Sequence, residues 1–286
     1  MKFIKLNNDV EISSVGLGTW LIDNDKVARV VCDAVKIGYR HIDTAQAYEN
    51  EEGVGIGIKE CGVPREELFV TTKVRAEYKD YESAKKSVLD SLKKMGLDYL
   101  DLVIIHAPQP WMEFRETDNN YFKENIEVWR ALEDLYTEGK VKAIGVSNFH
   151  DYDLENILNN CRIKPMINQV LSHVGQTPFD IIDYCGKNDI VVEAYSPIAH
   201  GEAGKIIEVM KIAEKYNKSF AQICLKYQLQ LGCVVLPKAS SFEHLKDNFV
   251  LDFEIRDEDM EVLNKVKPLD NYGDHDFFPV FKHVGE

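Results

Sequence analysis

Four residue types that could share one reaction stand at or just beyond the ends of consecutive apolar runs. Asp43 and Tyr48 lie in GYRHIDTAQAYENEEGVG, Lys73 closes LFVTTK and His106 closes DLVIIH. An aspartate at the end of an apolar run needs a cation, because an unpaired buried carboxylate costs several kcal/mol. Lys73 is the candidate counter-ion. A free tyrosine titrates near pKa ~10, and an adjacent ammonium is expected to stabilise the phenolate of Tyr48 and lower that value. Tyr48 would then supply a proton while His106 hydrogen-bonds a carbonyl oxygen and orients it. Singly, each residue has a plain structural reading: a solvated lysine, a hydrogen-bonded core histidine, a packing ring. Their positions at successive strand ends make a shared site the better account. The set contains no serine or cysteine nucleophile, no metal cluster and no opposed pair of catalytic carboxylates. It suits reduction of a carbonyl by an external hydride source, a nicotinamide. His41, two residues before Asp43, is expected to project to the other side of its strand.

The elements that must position these residues follow a regular alternation. After a hairpin expected in KFIKLNNDVEI, apolar strand candidates recur as VGLGTW, RHIDTA, LFVTTK, YLDLVIIH, VKAIGVSN, PMINQV, IVVEAYSP and CVVLPKA. Helix-period segments such as KVARVVCDAVKIG, YESAKKSVLDSLKKMG, IEVWRALEDLYTEG, FDIIDYCGKN and EHLKDNFV lie between them, several closed by glycine. Continuously apolar strands imply a parallel sheet covered by helices, and eight strand-helix units imply a closed (β/α)8 TIM barrel. GVGIG (Gly53 to Gly57) lacks the GxGxxG spacing of a dinucleotide fingerprint and does not follow a strand, so it reads as a closely packed helix. No Pro- or Ser-rich linker divides the chain, and residues 1–286 read as one domain. Long loops are expected on the C-terminal face, from Ala107 to Glu124 and after Lys267. Trp20, Trp111, Phe277 and Phe278 are the candidate walls of a substrate pocket there.

Composition narrows the partners. The net charge of -14 over 286 residues argues against nucleic acid, which demands a clustered basic face. The start MKFIKLNNDVEISSV has no apolar core with a cleavage site, and no stretch approaches the length of a membrane span. The 6 cysteines lack CxxC spacing and nearby His pairs, so neither a zinc site nor a disulfide framework is expected. A cytoplasmic monomer acting on a small carbonyl compound is the resulting expectation.

GYRHIDTAQAYENEEGVG, VTTK, IIH, KAIGVSNF, INQV, AYSP and LPKASSFEHLKDN resemble, in order and across almost the whole chain, the signature blocks of the aldo-keto reductases. The resemblance implies the barrel, the tetrad Asp43, Tyr48, Lys73 and His106, and an extended nicotinamide dinucleotide over the barrel mouth. It implies that Ser147, Asn148 and Gln169 hydrogen-bond the carboxamide, that Tyr195 stacks on the nicotinamide, and that Ser196 meets the pyrophosphate. It places Lys238 by the adenosine phosphate and Asp247 and Asn248 by the adenine. Three departures stand out. Ala107 replaces the usual Trp after the histidine, and Leu171 replaces an acidic residue after INQV. Ala239 and His244 occupy positions where the family commonly has Ser or Asn and then Arg, both contacting a 2'-phosphate. NADP(H) is therefore expected, with NAD(H) also accepted. From another class, the competing reading is a non-catalytic cofactor-sensing or structural protein on the same scaffold.

Overall fold

In a computed structural model that describes residues 2–282, the chain begins with an antiparallel hairpin, β1 (Phe3–Lys5) and β2 (Glu11–Ser13), with Ile4 opposite Ile12. Its turn is closed by Leu6 N–H donating to the Val10 carbonyl at 2.8 Å. The Asn7 side chain donates to the carbonyls of Pro165 and Asp189, and that of Asn8 to Lys142. Those carbonyls immediately precede later strands. The hairpin therefore plugs the N-terminal end of the main sheet, and the opposite end is left as the mouth.

That sheet has eight strands: β3 (Gly16–Gly18), β4 (His41–Asp43), β5 (Phe69–Val74), β6 (Leu102–Ile105), β7 (Ile144–Ser147), β8 (Ile167–Leu171), β9 (Val191–Tyr195) and β10 (Val234–Leu236). All neighbouring pairs are parallel, in sequence order. The sheet closes on itself where Val235 N–H donates to Ser14 at 2.9 Å and Gly18 N–H to Pro237 at 3.0 Å. Every residue of β5, β6 and β7 is buried, as strands covered by helices outside and packed side chains inside must be.

The covering helices are α1 (Asn24–Ile37), α2 (Glu51–Glu60), α3 (Tyr81–Met95), α4 (Phe122–Thr137), α5 (Asp151–Asn160), α6 (Phe179–Lys187), α7 (Ile207–Tyr216), α8 (Phe220–Gln230), α9 (Phe242–Phe249) and α10 (Asp257–Asn264). Their ends obey ordinary capping chemistry. Asp80 accepts from Ser83 N–H at the start of α3, and Gly96, with φ of 65°, ends it. Among the described residues, no helix is long and apolar enough to cross a membrane.

GVGIG does form a helix, α2, and its glycines are contact points. A Cβ on Gly53 would lie 2.1 Å from the Asn24 carbonyl oxygen of α1, and one on Gly55 would lie 2.3 Å from that of Met95 on α3. The helix is wedged between two backbones. Because α2 starts three residues after Tyr48, this wedge fixes the loop that carries the tyrosine. Gly55→Ala should cost about 1 to 3 kcal/mol of stability through overpacking. Gly186→Ala, on exposed α6 with open space around its Cβ, should stabilise by about 0.5 to 1 kcal/mol. Urea unfolding of the two variants checks the contrast.

Candidate active site

The site is assembled from the ends of successive strands. Asp43 is the last residue of β4; its carbonyl accepts from both the backbone and the hydroxyl of Thr19. The chain then turns through a short 3-10 segment, Gln46–Tyr48, that presents the tyrosine. Buried Asn50 holds this turn, accepting from the Thr44 hydroxyl at 2.7 Å and donating to the carbonyls of Thr19 and Ile22 at 2.9 Å. Gln46 locks the other side through Ser87, Ser91 and the Arg75 N–H.

Lys73, on β5, is fully buried, and its ammonium has three protons to place. One goes to Asp43 Oδ1 at 2.5 Å, one to the Thr44 carbonyl at 2.9 Å and one to Tyr48 Oη at 3.2 Å. Burial works to lower the lysine's pKa, but the Asp43 charge and Tyr48 outweigh it and hold it above its ordinary value. The ammonium therefore stays charged. Tyr48 differs from the sequence expectation: burial outweighs the pull of Lys73, and its pKa is raised instead of lowered. The phenol keeps its proton at neutral pH, with the Lys73 ammonium 3.2 Å from its oxygen. His106, just past β6, meets the Tyr48 ring edge-on at 5.7 Å. Burial, then the charges of Lys73 and Arg75, push its pKa well below the usual value, so the imidazole is neutral. Its Nδ1 has no protein partner.

A cavity of about 390 Å³ opens over these groups. Ser147, Asn148, Gln169, Tyr195 and Ser196, from the ends of β7, β8 and β9, line it, and so does Lys238, just past β10. Asn148 and Ser196 take positive φ values of 61° and 48°, in the left-handed region that asparagine enters readily and serine seldom does. Asn148 donates to Ser147 Oγ and the His106 carbonyl and accepts from Tyr195 Oη at 2.7 Å, so the Tyr195 ring is fixed. Gln169 Nε2 donates to Asp43 Oδ2 and Glu193 Oε2. Beyond the cavity, Ala239 is buried, His244 is exposed in the first turn of α9, and Asn248 is buried. Asp247 accepts from Ser219 Oγ at 2.6 Å.

Of the expected pocket residues, Trp20, Trp111 and Phe278 line the cavity, and each tryptophan meets the Phe278 ring. Phe277 is corrected: it is 65 % exposed and lies off the wall. The tail folds as a short turn, Gly273–His275, leading into α11 (Pro279–Lys282), and helical spacing turns Phe278 and Phe281 inward together. Phe281 takes the place expected for Phe277. His200 and His275, not singled out from the sequence, also line the cavity, stacked 3.9 Å apart. His41 is a second correction. Residues two apart on a strand share a face, so it points into the barrel with Asp43, its Nε2 3.7 Å from Glu193. Glu193 interrupts the apolar run VVEAY just as Asp43 interrupts its own, and that was its signal.

The donor set fits a nicotinamide dinucleotide. An aromatic ring held in place, amide and hydroxyl groups and a lysine, all lining one cleft, match a flat amide-bearing ring joined to phosphates.

A TIM barrel whose active face carries a tyrosine, a charged lysine and a neutral histidine defines a class of carbonyl oxidoreductase. The model of the Aldo/keto reductase family matches residues 14–268, and this chain belongs to that family. A glyoxal reductase of Bacillus subtilis (strain 168) is 43% identical over 272 residues, covering 94% of each chain. An aldo/keto reductase structure from Brucella melitensis superposes with a TM-score of 0.86 at 39% identity, over 92% of this chain and 98% of that one. One from Bombyx mori, in complex with NADP, does so with 0.85 at 31% identity over 96% of each. The chain is an oxidoreductase of aldehydes or ketones.

Lys73→Met should cost about 3 to 5 kcal/mol, because it strands the buried Asp43 carboxylate. Adding Asp43→Asn should recover part of that loss. Chemical denaturation of the single and double variants measures it, and an unchanged single variant would count against the pair.

Proposed function

We propose that this chain reduces small neutral aldehydes and ketones to alcohols, with a nicotinamide dinucleotide bound along the cleft and Tyr48 as the proton donor. The observation that carries the proposal is the ammonium of Lys73, buried and divided among Asp43, the Thr44 carbonyl and Tyr48. When bound, the cofactor supplies a hydride. The chain's own residues do the rest. Neutral His106 donates a hydrogen bond to the carbonyl oxygen and aims it. Tyr48 gives that oxygen its proton, and Lys73, kept charged by Asp43, stabilises the phenolate left behind. Asn148, Ser147 and Gln169 bind the carboxamide, Tyr195 supports the ring from below, Ser196 meets the pyrophosphate, and Lys238 takes the adenosine phosphate. His244, Asp247 and Asn248 serve the adenosine end.

The substrate class is set by the walls. Trp20, Trp111, Phe278 and Phe281 offer apolar surface, and among the cavity's lining residues Lys238 is the one Lys or Arg, at the cofactor end. Among the described residues, no second Lys or Arg lines the cavity to pair with an anionic substrate. The glyoxal reductase relative supports trying small reactive dicarbonyls first, beside 4-nitrobenzaldehyde.

Tyr48→Phe should lower turnover by about 10²- to 10⁴-fold while leaving cofactor binding, followed by tryptophan quenching, nearly intact. Full retained turnover would sink the assignment.

Cofactor choice is set by the weakened phosphate end. An Arg would clasp a 2'-phosphate with a planar fork of charge-assisted bonds; Ala239 is buried without a polar group, and His244 offers at most two donors. Both NADPH and NADH should therefore work. The advantage of NADPH over NADH should be small. His244→Arg should raise it by roughly 10- to 100-fold, the worth of one charge-assisted contact. The ratio of kcat/KM for the two cofactors, in the unaltered protein and in His244→Arg, decides this. A strong NADPH preference in the unaltered protein would show that other groups hold the phosphate.

A further inference from the structure

Glu193 stands in the middle of β9, fully buried, in register with Gln169 on β8 and Val234 on β10. Its Oε2 accepts from Gln169 Nε2 at 2.9 Å, and the same nitrogen donates to Asp43 Oδ2 at 3.0 Å. A side-chain amide nitrogen carries two protons, and both are now placed. Reversing the amide would set its oxygen against two carboxyl oxygens. The pair of carboxyls thus decides the amide's orientation and leaves Oε1 as the uncommitted polar atom of a residue that lines the cleft.

We propose that Glu193 is a positioning residue for carbonyl reduction, acting through Gln169: it commits Nε2 to the barrel interior so that Oε1 accepts the amide N–H of the nicotinamide. The inference rests on the reductase reading and deepens it.

The surroundings of Glu193 specify its working form. The charged or titratable groups that face it are Asp43 and His41 of β4 and Lys73 of β5; its strand neighbours Gln169 and Val234 carry no charge. Lys73 is already matched by Asp43. His41 is held neutral, since burial pushes its pKa down to about 3. A second carboxylate would have no counter-charge. Burial, then the Asp43 charge, push the Glu193 carboxyl up to about 8, so near neutrality it is an uncharged acid. Its proton belongs on Oε1, which has no hydrogen-bond partner and faces His41 Nε2. Oε2 remains free to accept from Gln169.

Two consequences separate this role from packing. Ionisation of Glu193 adds negative charge beside Asp43 and opposes formation of the Tyr48 phenolate, so reduction should fall as pH rises through about 8. The sign for stability is the same. The folded pKa lies above the ordinary 4.5, so the folded state binds more protons between the two values, and stability falls as pH climbs from 4.5 to about 8.

The test compares the unaltered protein with E193Q and E193A. Its readouts are NADPH Kd by tryptophan quenching, kcat/KM for 4-nitrobenzaldehyde from about pH 6 to about pH 9, and urea unfolding over a wider pH range. E193A should weaken NADPH binding about tenfold, the scale of one neutral hydrogen bond. E193Q, which mimics the neutral acid, should recover most of that loss, move the alkaline fall in activity to higher pH and remove Glu193's share of the pH-dependence of stability. An active unaltered protein matched by E193A in both Kd and kcat/KM overturns the inference alone. So does a folded E193Q as impaired as E193A. If E193A does not fold, E193Q still decides: an alkaline fall and a stability profile unmoved from the unaltered protein overturn the inference. An unaltered protein that neither binds NADPH nor reduces the aldehyde overturns the reductase reading as well.

Discussion

A buried ammonium has to find acceptors for three protons, and much of the active face can be derived from how Lys73 finds them. Strand β5 carries the lysine inward; β4, paired alongside with Asp43 opposite Thr71, ends one residue before Thr44 exposes its carbonyl. The third acceptor is Tyr48, which no strand carries. It reaches the lysine because Asn50 and Gln46 pin the intervening turn and because glycines let α2 sit against α1 and α3. A buried ion pair adds little net stability when complete and costs much when broken. The arrangement is therefore better understood as holding a tyrosine beside a fixed charge than as holding the barrel together.

That charge also sets the protonation of its neighbours. With Lys73 positive and Asp43 negative, the interior is balanced, and each further group that enters it is held neutral. His106 and His41 are kept unprotonated by burial, with Lys73 adding to the effect; Glu193 keeps its proton through burial and the Asp43 charge; Tyr48 keeps its own. A neutral histidine has one hydrogen bond to donate, and in the proposed reaction it does not compete for the tyrosine's proton. The low-dielectric barrel thus sorts four titratable groups into donors and acceptors around a single ion pair.

The barrel was legible because parallel strands buried on both faces write themselves as apolar runs, and a polar residue closing such a run marks the mouth. All eight runs are strands; Asp43 and His106 line one cavity, and Lys73 bonds to Asp43 beneath it. The same rule, applied to VVEAY, would have exposed Glu193. His41 was misplaced by an error of strand parity, since its separation of two from Asp43 puts both side chains inside. The tail was opaque for a different reason. Its short turns have no sustained period, so nothing local distinguishes Phe277 from Phe281. Helix α8 shows the limit of periodicity in another way: it is buried almost all round and presents no single apolar stripe to recognise.

The opacity of the tail reflects how the mouth is built. The tetrad rests on adjacent strands, whereas the aromatic wall joins residues more than two hundred positions apart, Trp20 with Phe278 and Phe281. The wall is anchored through Tyr272, buried and stacked on Phe281 at 4.5 Å, whose hydroxyl meets His173 Nε2 at 2.8 Å. His173 Nδ1 lies 2.7 Å from the Val174 carbonyl, so Nδ1 carries the proton and Nε2 accepts from the tyrosine. One hydrogen bond from the barrel rim thus fixes a segment that shapes the cavity. The strand ends must keep their registry for Lys73 to find its acceptors. The wall rests on this hydrogen bond and on ring contacts away from the tetrad, so pocket shape can change through the tail and the Ala107 loop without disturbing the charged centre.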